Sequence, residues 1–175
     1  KLNSVTFYNS LKGWAVGDSG TVIKTTNGGQ NWQILVSGSD YNLNSVFFAD
    51  SLLGWVSGES GTILKTTNAG ETWNSLSSGN PGALNSIQFI GLDTGWVTGG
   101  NGAILKSTNG GNTWNYQASP TNSWYEAIFM LDQNSGWIAG QEGVVLKTTN
   151  GGLNWIKQNV AKGLFRSIYF TSDSN

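Results

Sequence analysis

The chain has 175 residues, of which 11 % are charged, and a net charge of −1. Its nine basic residues include one arginine, Arg166, so no basic track for phosphates can be built and nucleic acid is excluded as a partner. Cysteine and histidine are absent, which removes disulfides, thiolate chemistry, the commonest general base and the commonest metal ligand; no metal and no cofactor is expected. Apolar runs stop at four or five residues, far short of a membrane span. The chain opens at Lys1 without a leader, as a piece cut from something longer would. Glycine, at 25 residues, is about twice its usual ~7 % share, and it interrupts every stretch with helical spacing of apolar residues. Many tight turns and almost no helix are therefore expected.

In chain order, an alternating strand comes first, marked by Leu2, Val5 and Phe7, with Val5 and Phe7 on one face and Ser4 on the other. It returns at Leu43–Phe48, Leu84–Phe89 and Tyr125–Met130. A polar loop leads to a second strand that reads Gly-Trp, two small or branched residues, then Gly: Gly13–Gly17, Gly54–Gly58, Gly95–Gly99 and Gly136–Gly140. A short turn follows, then an apolar third strand ending in Lys24, Lys65, Lys106 or Lys147, apolar enough to be buried on both faces. Next comes the stretch Lys24–Trp32, Lys-Thr-Thr-Asn-Gly-Gly-Gln-Asn-Trp, repeated every 41 residues. Asn27-Gly28 is a strong hairpin signal because both positions tolerate positive φ, whereas Asn68-Ala69 is a weaker turn former. The tryptophan is expected to fold over the turn and open a fourth strand. The repeated Lys is expected to bond this box or lie over the Gly-Trp indole.

Four antiparallel strands per ~40 residues with buried inner strands predict an all-β fold, a β-propeller of four-stranded antiparallel blades. The repeats are read as 2–42, 43–83, 84–124 and 125–163, with an extra strand at 164–170, in one domain over 1–175. Two open terminal faces would expose roughly 700 Å², or about 17 kcal/mol at ~25 cal/mol/Å², which rivals the stability of a whole domain. Closure, continuation by further sequence or self-assembly through open blade edges is expected, and the array reads as part of a larger ring.

The stretch Thr25–Trp32 and its sister copies resemble the Asp-box (bacterial neuraminidase) repeat, with Asn where that pattern has Asp. The residues that match are Thr25, Asn27, Gly29 and Trp32; Thr66, Asn68, Gly70 and Trp73; Ser107, Asn109, Gly111 and Trp114; and Thr148, Asn150, Gly152 and Trp155. The longer pattern from Gly-Trp to the box is similar to the photosystem II assembly/stability factor propellers. The resemblance implies a propeller, a protein partner, and a secreted, periplasmic or cell-surface place in a bacterium, with the thylakoid lumen as the alternative. A sialidase would need three arginines where this chain has Arg166 alone.

A glycosidase needs two carboxylates about 5–10 Å apart. Asp18, Glu59 and Glu142 lie in turns after the second strand and Asp40 in a loop between repeats, all on one propeller face. They are read as solvated turn acids, and no catalytic residue is assigned. Function is expected where the copies differ. Trp124 lies outside the repeat pattern, and Tyr41 sits in the equivalent loop, both flat aromatics among polar side chains. Asn101 lies in the third turn, and Glu126 and Arg166 stand where other repeats have Asn at the start of the first strand. The leading reading is a non-catalytic binding or scaffolding propeller with a protein or glycan partner. A carbohydrate-binding or glycoside hydrolase fragment, and a structural protein assembling through blade contacts, are its alternatives.

Overall fold

The computed structural model describes residues 1–170. It contains four antiparallel sheets, each a four-stranded meander. The first is β1 (Leu2–Phe7), β2 (Gly13–Gly17), β3 (Val22–Thr25) and β4 (Gln33–Leu35). The second is β5 (Leu43–Phe48), β6 (Gly54–Gly58), β7 (Thr62–Thr66) and β8 (Asn74–Ser77). The third is β9 (Leu84–Ile90), β10 (Thr94–Gly99), β11 (Ile104–Ser107) and β12 (Asn115–Tyr116); the fourth is β13 (Tyr125–Met130), β14 (Gly136–Gly140), β15 (Val145–Thr148) and β16 (Ile156–Lys157). This is the blade pattern of a propeller fragment. Two compact units divide the chain, Lys1–Ile87 and Gln88–Asn175, with the boundary inside β9.

The core of the first unit includes Trp14, Val16, Val22, Leu43, Val46, Phe48, Val56 and Leu64. That of the second includes Trp96, Ile104, Tyr125, Ile128, Met130, Ile138 and Leu146. In the first unit, the Trp14 ring stacks on Phe48 at 3.6 Å and 11°. Its indole N–H donates to the Ala69 carbonyl at 2.9 Å, so β2 is tied to the box of the following repeat. Gly54 is required beneath the stack, since a Cβ there would lie 2.6 Å from the Phe48 ring. In the second unit, Trp96 donates to Gly151 O at 3.2 Å and Lys106 Nζ to the same oxygen at 2.7 Å. Lys106 also lies 5.0 Å over the Trp96 ring, and burial holds its ammonium below the ordinary lysine range. Lys24 reaches Glu71 of the next box at 2.7 Å instead.

The box is closed by side chains. Thr25 Oγ1 accepts from Gly29 N–H at 2.9 Å and donates to Asn27 Oδ1, which accepts from Asn31 N–H. The same bonds recur around Thr66, Ser107 and Thr148, whose hydroxyls are all buried. Asn serves where Asp is usual because one carbonyl oxygen suffices. Its amide adds a donor, used by Asn68 to Thr72 and by Asn109 to Thr113.

Three details differ from the sequence reading. Positive φ falls on Gly28 and Gly29, one residue later than a two-residue Asn-Gly hairpin requires, because Asn27 is committed to accepting bonds; Ala69 takes the left-handed region at φ 61°. The outer strand begins just after the box tryptophan, whose indole lies over its own turn: a Cβ at Gly29 would meet Trp32 at 3.7 Å. Residues 164–170 form no strand, since no second strand lies beside them among the described residues. Phe170 nevertheless stacks on Trp137 at 4.0 Å and 24°, the place Phe48 takes against Trp14.

The first strands are sealed by side chains of their predecessors. Asn3 donates to Leu43 O at 3.0 Å and Ser4 Oγ accepts from Val46 N–H; Asn44 and Ser45 repeat this toward Leu84 O and Ile87 N–H. In the second unit the Gln88 amide brackets Met130 N–H and O. Residues Asn3, Asn44 and Glu126 sit at bulges in their strands, which turns their side chains sideways.

Replacing Thr66 by Val leaves the Gly70 and Asn68 amides without their acceptor and should cost about 1–3 kcal/mol in urea unfolding. The same change at exposed Thr67 should stay within about 0.5 kcal/mol.

Candidate functional site

The turn after the second strand presents one non-glycine residue at positive φ in each repeat, Ser19, Ser60, Asn101 and Glu142, each followed by a glycine that is also at positive φ. Beside it stand the acids singled out from sequence, and each bonded one meets an amide. Asp18 accepts from Asn3 at 2.9 Å, Glu59 from Asn42 at 3.1 Å, and Glu126 from Gln141 at 2.9 Å. Glu142 and Asp40 are exposed and make no side-chain hydrogen bond among the described residues. Arg166 is exposed and has no ion pair there.

Trp124, 40 % exposed, lies flat over Gly100: a Cβ at that glycine would approach its ring to 3.0–3.2 Å. Gly100 stands where other repeats have Asp18, Glu59 or Gln141, so the aromatic and the missing side chain belong together. Trp124 O accepts from Gln141 N–H at 2.9 Å, which places Glu126 and Gln141 beside this platform.

Tyr41 and Asp40 fall in the first unit, on the wall of a groove of about 780 Å³. Ser60, Thr62 and, from β8, Ser75 and Ser77 also line it. These four hydroxyl residues were not singled out from sequence. Repeat alignment carries the signal, since Ser75 and Ser77 occupy the registers of Ile34 and Val36 in the first repeat.

The loop acids Asp50 and Asp132 serve the backbone. Asp132 Oδ1 accepts from Asn134 and Ser135 N–H at 2.6 and 2.7 Å, and those bonds, Ser135 first, hold its carboxyl below the usual range. No cluster of three or more potential metal ligands exists among the described residues. No helix there is long and apolar enough to cross a membrane.

A family model described as "Photosynthesis system II assembly factor YCF48" matches residues 1–118 and 82–165. Among solved structures, "YCF48 bound to D1 peptide" is similar at 23 % identity and TM-score 0.75, covering 91 % of this chain and 53 % of that one. YCF48 from Cyanidioschyzon merolae is similar at 19 % and 0.57, covering 93 % and 71 %. The GH74 enzyme of Niastella koreensis is similar at 18 % and 0.72, covering 89 % and 30 %. This chain thus spans about half the length of the peptide-bound YCF48. No curated protein matches the sequence.

Two outcomes follow from this geometry. Gly100→Ala should shift the Trp124 signal in ¹⁹F spectra of fluorotryptophan-labelled protein while the other indoles stay put. Asp132→Ala should destabilise at neutral pH, where the native carboxylate is ionised and bonded. Because that pKa is depressed, the gap to wild type should close as pH falls through the native pKa, read as urea midpoints at about pH 7 and pH 2.

Proposed function

Since the chain belongs to the photosynthesis system II assembly factor YCF48 family, we propose that it is a non-catalytic propeller that binds an extended segment of a partner protein. The observation that carries this reading is the pairing of Asp18, Glu59 and Glu126 with amides. A hydrolase needs one acid made more basic by its surroundings beside a second within about 10 Å. Carboxylates bonded to carboxamides remain acceptors, suited to recognising N–H groups and basic side chains.

The D1 peptide bound by the YCF48 relative supports a peptide segment of a partner protein as the ligand class. A thylakoid lumen, or the exported space of a bacterium, is the matching location. The open face of the first sheet is a separate feature. Leu2, Val5 and Phe7 are 52, 59 and 45 % exposed there, whereas their equivalents Leu43, Val46 and Phe48 are at most 7 % exposed beneath Trp14. A further sheet of the same repeat would cover it.

A fluorescent D1 peptide should bind with a Kd of about 1–100 μM, and Glu59→Lys should weaken it. Absence of saturable binding, or turnover of any member of a glycan panel, would sink the reading.

A further inference from the structure

We propose that the groove between the loop Gly38–Tyr41 and β8 is a second binding site, for a neutral oligosaccharide, independent of the partner-protein reading above. Its chemistry is unusual for an inter-repeat surface. Tyr41 OH, Ser60, Thr62, Ser75 and Ser77 line it, and none of these hydroxyls bonds another described residue. Each can donate and accept at once, as a sugar hydroxyl does. Asp40 is the one ionised group on the wall, and it has no partner among the described residues. A carboxylate there accepts from neighbouring sugar hydroxyls and repels uronates, sulfates and phosphates, since no cation lines the groove to offset it.

The Tyr41 ring is 53 % exposed and gives the flat surface on which the C–H face of a pyranose packs. The groove, at about 780 Å³, falls within the range of small-ligand sites, roughly 300–1,000 Å³. Ser75 and Ser77 show how it arises. At the same registers the first repeat carries Ile34 and Val36, both exposed, and such side chains would fill the space that the serines leave. The framework therefore tolerates Ile and Val at these positions, and the hydroxyls are not needed for folding. Leu76 and Pro81 also line the groove, so a neutral peptide is the competing occupant that the titration must separate from the sugar.

The test is ¹⁵N-detected NMR titration of the full chain with cellohexaose, an oligogalacturonate hexamer and a neutral hexapeptide. Cellohexaose should shift amides of Gly38–Tyr41 and Ser75–Ser78 saturably, and the uronate and the peptide should not. Tyr41→Ala should weaken binding at least about tenfold. The double variant Ser75→Ile, Ser77→Val should abolish it with the melting temperature and the D1 peptide affinity unchanged. The proposal is overturned if cellohexaose gives no saturable shifts, if it binds the double variant as well as wild type, or if the uronate or peptide is preferred in the groove. Peptide affinity is measured on the same variants, so loss of one reading leaves the other standing.

Discussion

One hydrogen bond, from a buried indole to a turn carbonyl, organises the repeat. Trp14 gives its N–H to Ala69 O, and Trp96 gives its own to Gly151 O. A buried indole N–H without an acceptor costs about 1–3 kcal/mol, so the box must place a carbonyl at that point. It does so by turning through two left-handed residues, Ala69 and Gly70 in the second repeat. The second position is glycine in every copy because its φ lies between 81 and 90° there, and at Gly70 a Cβ would also press on Leu35 at 3.1 Å. The lysine at the end of the third strand adds a second link, to Gly151 O in one unit and Glu71 in the other. The box indoles contrast with this, since Trp73, Trp114 and Trp155 bury an N–H with no acceptor among the described residues. They serve as apolar cover.

A second constraint acts on the first strands, whose free edges would invite pairing with another chain. Short polar side chains meet those edges: Asn3 and Ser4 toward β5, Asn44 and Ser45 toward β9, and Gln88 toward β13. Residues that look like a polar rim in sequence are thus partly consumed in closing the backbone. Asn3 does both tasks, bonding Leu43 O and Asp18 at once.

What remains for recognition is whatever the repeat does not use. The turn acids Asp18 and Glu59 are held by amides, Trp124 rests on Gly100, and Tyr41 lines one groove with the serines of β8. Much of this was legible. The 41-residue period and the Gly-Trp and box patterns gave sheets and strand order, and Trp124 and Tyr41 stood out because they break the period. The groove was not legible as a site, because Ser75 and Ser77 read individually as ordinary outer-strand residues. Only the fold brings Tyr41 and both serines into the lining of one groove.

By itself the sequence determined the elements of this protein. Repetition forces every copy into the same strands, since alternation, glycine placement and turn chemistry act within a few residues of each other. The tertiary structure decided which polar groups are spent and which are free. That depends on partners some 40 to 55 residues away, such as Asn3 with Leu43, Lys24 with Glu71 and Trp14 with Ala69. Local pattern cannot rank such partners, because hydrogen bonds and burial between sheets are settled by packing geometry, which emerges only once the sheets have formed.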